Sequence, residues 1–262
     1  MIYDLCGQTD PGLTRNNNED ALAFEAATGL CILADGMGGY NAGEIASGMA
    51  VAFIKSDMGH WLSEAGRQAS AKEVRRALET CVDNANHSIF NAASSNAEFA
   101  GMGTTLVVGV FQDGRLLLGH LGDSRCYRLR GQGFQQITKD HSLIQEQLDA
   151  GLITPEQAFV SVNRNLLTRA LGIEGMTLVE VNEHRVEAGD LYLMCSDGLS
   201  DMVEDEGIAA IVRGGGTLAH MARQLIDAAN GAGGRDNISV LLARAKEEDP
   251  SRRGLLSRML GK

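Results

Sequence analysis

The chain has 262 residues, enough for one large domain or two small ones and for a sizeable buried core. Hydrophobic residues make up 44% and charged residues 22%, which argues against a disordered or fibrous chain. Asp and Glu number 34 against 23 Lys and Arg, a net −11 that argues against nucleic acid or an anionic membrane as main partner and favours cations.

In chain order, residues 30–34 predict the first strand. After Asn41, Ile45, Met49 and Phe53 mark an apolar helix. Ser70 and Glu73 form a capping-box pattern ahead of Val74, Leu78, Val82, Ala85 and Ile89, which predicts a second helix. Residues 104–111 and 115–121 flank Gln112-Asp113-Gly114 as a hairpin, and 125–129 predict another strand. A less regular stretch, about 145–175, contains a helix start at Thr154-Pro155. Strands at 178–186 and 190–195, a helix carrying Leu218, Met221, Leu225 and Ala229 that Gly231 could end, and a strand at 237–243 complete the order. This is not βαβ alternation; it predicts mainly antiparallel sheets with helices packed on them, an α+β class, and one domain. Residues 246–262 change character, with acids, a proline and then interleaved Arg and Leu: a frayed tail or a short basic amphipathic helix for a partner.

No run of 18 apolar residues predicts a transmembrane helix, and the start Met-Ile-Tyr-Asp-Leu-Cys-Gly does not resemble a signal peptide. Cys6, Cys31, Cys81, Cys126 and Cys195 never form Cys-x-x-Cys, so neither a disulfide framework nor a zinc site is suggested and a cytoplasmic location is expected.

Carboxylates recur beside glycine or small polar residues where elements end: Glu19-Asp20, Asp35-Gly36, Gly122-Asp123, Asp197-Gly198 with Asp201, and Asp236-Asn237. Asp35 and Asp197 are read as ending strands and Asp236 as starting one. Each alone is an ordinary turn. Together, with few bases beside them, they suit a hard divalent cation such as Mg²⁺ or Mn²⁺, which takes oxygen ligands.

The ordered set R-x-x-N-E-D, A-D-G-M-G-G, G-T-T, G-D-S-R, T-K-D-H, C-S-D-G-L-x-D and G-R-D-N, running from about Asp10 to Ala243, resembles the bacterial metal-dependent serine/threonine protein phosphatases of the type 2C (PPM) family. The resemblance implies a four-layer α-β-β-α sandwich with two central antiparallel sheets. It implies a single catalytic domain over 1–245, with a flap at about 145–175 and a tail over 246–262. It also implies two Mn²⁺ or Mg²⁺ ions, with a third in bacterial members. Asp35 would bridge two metals; Asp197 and Asp236 would complete the first, and Glu19 with the Gly36 carbonyl the second. Asp123 and Asp201 match the third site. Arg15 matches the phosphate-binding arginine, although by itself it reads as a surface residue. Asp20 would hold metal-bound waters, and Asn237 would support Asp236. Catalytic roles thus fall to Arg15, Asp20 and Asp35.

The implied activity is hydrolysis of phosphoserine and phosphothreonine in proteins by a metal-activated water, in a monomer that opposes a serine/threonine kinase. The alternative is an inactive phosphatase-like regulatory module. Met37 and Tyr40 stand where relatives carry histidine, which leaves the general acid unassigned. His120 and His141 read as core or hydrogen-bonding residues more readily than chemical ones. No cysteine has an arginine six positions on, and no G-x-x-x-x-G-K-[ST] run occurs, so cysteine-dependent and nucleotide-binding chemistries are disfavoured.

Overall fold

Apolar runs cut by glycine turns build the strands of the computed structural model of the chain, which describes residues 1–39, 42–65, 69–159, 161 and 166–248. One antiparallel sheet runs β1 (Ile2–Asp10), β11 (Ile238–Lys246), β10 (Leu191–Cys195), β7 (Arg125–Arg130) and β8 (Gly133–Gln136). The other runs β2 (Asp20–Glu25), β3 (Leu30–Met37), β5 (Leu106–Gln112), β6 (Arg115–Leu121) and β9 (Glu180–Arg185), with the short β4 (Gly103–Thr104) on β3.

Strand alternation divides the apolar residues between three layers of core. Leu30 and Ile32 of β3 face the long helices α1 (Ala42–Ala65) and α2 (Ala71–Ser95), meeting Ile54, Leu78 and Ile89. Cys31 and Leu33 turn to the opposite side and pack with Tyr192, Met194 and Leu241 of the other sheet. That sheet's outer face holds α6 (Asp205–Arg213) and α7 (Leu218–Gly231) through Leu193, Leu242, Ile208 and Leu225. The four-layer α-β-β-α sandwich follows from this two-sided burial.

Helix α2 carries its full capping box: Ser70 Oγ accepts from the Glu73 N–H, and Glu73 reaches back to the Ser70 N–H. Val74, Leu78, Val82, Ala85 and Ile89 are its buried face, as the spacing predicts. In α1 the most buried stripe is Ala42, Ala46, Ala50, Ile54 and Met58, whereas Ile45 and Met49 are half-buried and Phe53 is exposed. Small residues let this helix approach the backbone of β3 closely. The β5–β6 hairpin turns through Asp113 and Gly114, both at positive φ (49° and 73°), as a two-residue turn between strands of right-handed twist requires.

Elsewhere the structure departs from the sequence expectations. Strand β1 pairs with β11 along nine residues, yet Gly7, Gln8 and Asp10 obscure its pattern. Asp35 does not end its strand, because β3 continues to Met37 through a pairing with β4. Asp197 instead opens a one-turn helix, α5 (Asp197–Ser200), after β10 has ended at Cys195. The stretch at about 145–175 takes in most of α3 (Leu143–Asp149) and all of α4 (Pro155–Phe159). Asn41, Tyr40 and the tail from residue 249 lie outside the described residues.

Candidate metal centre

The acids gather where β1 finishes and β11 begins. Asp20 opens β2 and pairs in register with Asp35 of β3. Asp123 occupies the turn between β6 and β7, Asp197 and Asp201 bracket α5, and Asp236 immediately precedes Asn237 and β11. All seven acids expected at the site are brought to this end of the sandwich.

Hydrogen bonds fix the backbone that carries them. Buried Asn237 is the hub: its Oδ1 accepts from the Glu19 N–H at 2.7 Å, and its Nδ2 donates to the Asn17 and Pro11 carbonyls at 2.8 and 3.0 Å. Ser47 of α1 donates to the Glu19 carbonyl at 2.5 Å. The Asp35 N–H donates to Thr105 Oγ1 at 3.0 Å, and the Thr105 N–H and Thr104 Oγ1 return bonds to the Asp35 carbonyl at 2.9 and 2.8 Å. Ser196 Oγ donates to Asp20 Oδ2 at 2.8 Å. Thus G-T-T, C-S-D and D-N each contribute a hydroxyl or amide that aims a neighbouring acid.

Two glycines are required by close approach. A Cβ on Gly36 would lie 2.1 Å from the Gly43 carbonyl oxygen, and one on Gly43 would lie 2.9 Å from Glu19 Oε2. Gly43 and Ser47 escaped the sequence reading; A-G-E-x-x-S at the start of an apolar helix was the available signal.

Burial and mutual repulsion dominate the electrostatics. Asp35 is held well above the ordinary carboxylate range by burial and then by Asp20, Asp197, Asp123 and Asp236. Asp197 is raised for the same reasons, with Asp123 and Asp201 its strongest neighbours. Burial lifts Asp20 to about 7 against hydrogen bonds from Ser239 and Ser196, and lifts Asp123 to about 6 with help from Asp140. Arg15 Nη2 donates to Asp236 Oδ2 at 2.6 Å. Burial pulls the pKa of Arg15 down, but Asp236, Glu19 and Asp197 outweigh it and the net shift is upward.

The cleft has two arms. Arg15, Asp197, Asp201, Arg235 and Asp236 line a cavity of about 200 Å³. Asp123, Asp140, Asp197 and Asp201 line another of about 320 Å³, closed over by Ile144, Gln145 and Leu148 of α3 and by Pro155 and Ala158 around α4. Met37 points into a separate, largely apolar groove with Leu166, Ile173 and Met176, and its thioether has no proton to give.

The donor set fits hard divalent cations. It is all oxygen, its members raise one another's proton affinity, and Asp20 Oδ1 is buried with no hydrogen-bond partner. Among the described residues no three of these side chains converge tightly enough to form a closed cage.

A sequence profile of the protein phosphatase 2C family matches residues 14–242. The chain belongs to that family. It is 38% identical over 250 residues to the serine/threonine phosphatase Stp of Listeria monocytogenes, covering 94% of this chain and 96% of that one. The crystal structure of the serine/threonine phosphatase PstP/Ppp of Mycobacterium tuberculosis superposes with a TM-score of 0.86 at 37% identity, covering 94% of this chain and all of that one. A structure of the PstP catalytic domain in complex with two manganese ions gives 0.83 at 36% identity, covering 94% and 99%.

Proposed function

We propose that this cleft performs the metal-dependent hydrolysis of phosphoserine and phosphothreonine in proteins, with the residue roles set out below. The observation that carries the reading is the gathering of buried Asp20 with half-buried Asp35, Asp123 and Asp197 in one cleft, where each carboxyl is desolvated and raised, opposite Asp236, which Arg15 pairs. Asp35, Asp197 and Asp236 would hold one divalent ion, and Asp35, Glu19 and the Gly36 carbonyl a second, with Asp123 and Asp201 at an outer third. Bound there, the ions lower the pKa of water and stabilise charge on phosphoryl oxygens.

The chain's own groups do the rest. Arg15, half-exposed, presents a planar fork suited to a tetrahedral dianion. Asp20 is anchored through Oδ2, and this leaves Oδ1 to accept a water proton. Proton donation to the leaving hydroxyl falls to solvent, because Met37 cannot supply it. An inactive regulatory module would have no need of these acids, all of which the chain retains.

Phosphoproteins are thus the substrates, and a serine/threonine kinase supplies them. We read residues 1–245 as one catalytic domain acting as a monomer in the cytoplasm, with 145–175 as its flap. No helix among the described residues is long and apolar enough to cross a membrane.

Hydrolysis of a phosphothreonine peptide should require Mn²⁺ or Mg²⁺ and stop with chelator. Outer-shell substitutions cost 10–100-fold, so Asp35→Asn and Asp236→Asn should each cost at least ~100-fold. Metal-independent turnover, or full activity in either variant, would overturn the assignment.

A further inference from the structure

Beyond Asp140, which lines the cleft, the motif Thr138-Lys139-Asp140-His141 and the buried His120 have no part in the site so far, yet both converge on the turn that carries Asp123. The Gly122 N–H donates to His141 Nδ1 at 3.2 Å, and the His141 N–H donates back to the Gly122 carbonyl at 2.8 Å. Since Nδ1 accepts, the ring proton of His141 sits on Nε2, which faces Glu180 Oε2 at 3.4 Å. On the other side of the turn, His120 Nε2 donates to the Ser124 carbonyl at 3.1 Å. The two imidazoles stack, with centroids 4.6 Å apart and planes 29° from parallel.

The turn and the residues just after it are tied at three further points. Ser124 and Thr105 share a hydroxyl–hydroxyl bond of 2.7 Å, and Thr105 holds the backbone of Asp35. Arg125 grips Asp140 with three hydrogen bonds of 2.7 to 3.1 Å, and the Cys126 N–H donates to Thr138 Oγ1 at 3.0 Å. Residues 138–141 therefore bind residues 122–126 along their length. Burial pushes His120 down to about 4 and also lowers His141, which favours the neutral ring whose Nδ1 accepts from Gly122.

We propose that His141, backed by the stacked His120, is a positioning residue: it fixes the Gly122–Asp123–Ser124 turn and so aims the Asp123 carboxylate at the outer cation shared with Asp201. This rests on the placement of Asp123 and Asp201 at a third divalent site. It predicts which atom of the ring matters. Asn places an amide oxygen where Nδ1 sits and can accept from Gly122; Gln is polar but reaches toward the Nε2 position; Leu offers no acceptor.

Calorimetric titration with Mn²⁺ tests this on four proteins alongside the native one: His141→Asn, His141→Gln, His141→Leu and Asp123→Asn. The weakest class of Mn²⁺ site should lose about tenfold in affinity in the Gln and Leu variants, at the lower end of outer-shell effects, and stay within about threefold in the Asn variant. The tighter sites should be little affected, and the Mn²⁺ concentration giving half-maximal peptide hydrolysis should rise in step with the weak-site loss. Asp123→Asn should abolish the weak class. If Asp123→Asn leaves every class intact, the third-site assignment fails and the proposal with it. If Asp123→Asn removes the class but Gln and Leu bind Mn²⁺ normally, or if Asn loses as much as Leu, the positioning role is wrong while the site stands. Should the Leu variant not fold, the Asn and Gln comparison decides the matter, since both are polar and close to histidine in size.

Discussion

One buried amide, Asn237, determines where Glu19 stands. It makes three hydrogen bonds across more than two hundred residues of sequence separation, to the Glu19 N–H and to the Asn17 and Pro11 carbonyls. Asn237→Ala strands these groups. At 1–3 kcal/mol per buried unsatisfied group, the three stranded groups should cost at least about 3 kcal/mol in denaturant unfolding. Outer-shell losses run 10–100-fold, so Mn²⁺ affinity should fall by at least ~10-fold. Unchanged Mn²⁺ binding would show that the loop before Glu19 is held by something else. The sequence allows Asn237 to be suspected because it follows Asp236, but its partners are invisible there: nothing local says that residue 237 meets residue 19. His120 and His141 make the same point, since their spacing suggests no pairing and the stacked geometry arises where the end of β6 meets the loop after β8.

At the scale of elements, the legible parts are those whose signal is local. Helix α2 was readable because a capping box and a five-residue apolar stripe agree. Ser70→Ala should therefore cost about 1 kcal/mol by removing the cap. Leu78→Ala, at a fully buried position facing the sheet, should cost about 2–5 kcal/mol. Urea denaturation midpoints in chelator check the order; a cap substitution costlier than the core one would refute it. Strand β1 was not readable, because its polar and glycine residues are tolerated by long pairing with β11 and partial burial. The buried stripe of α1 was not readable either. Hydrophobicity drew attention to Ile45, Met49 and Phe53, while close approach of Gly43 to Gly36 rotates the alanine stripe inward instead.

For the whole molecule, the net charge of −11 has a functional centre: seven of the 34 acids meet at one end of the sandwich. Folding alone pushes these carboxylates together at a cost that bound cations should offset. At Mn²⁺ one hundredfold above its dissociation constant, one site adds about 2.7 kcal/mol. For a domain of this size that raises the thermal midpoint by roughly 5–10 °C. The pH dependence has a defined sign. Asp20 is raised to about 7 and Asp123 to about 6, so the folded protein holds protons that unfolded carboxylates have released. These two groups therefore make the chelated protein less stable as pH rises from about 4 through 7. Manganese reverses that trend, because metal binding requires the ionised acids. The Mn²⁺-induced shift of the thermal midpoint should thus be large at pH 8 and small at pH 5; an equal shift at both would argue that ions bind elsewhere.

By itself the sequence determined the class of the fold and the family, and it singled out the acids proposed for the metal site. Period, turn residues and ordered motifs are local properties, and most of these motifs carry one of the acids proposed as ligands. Only the tertiary structure decided what holds those acids in place. Asn237 reaching Glu19, Ser196 reaching Asp20, Thr105 joining Asp35 to Ser124, and His141 clasping Gly122 are contacts between distant segments. They form only when two sheets stack and bring their ends together, so no reading along the chain contains them.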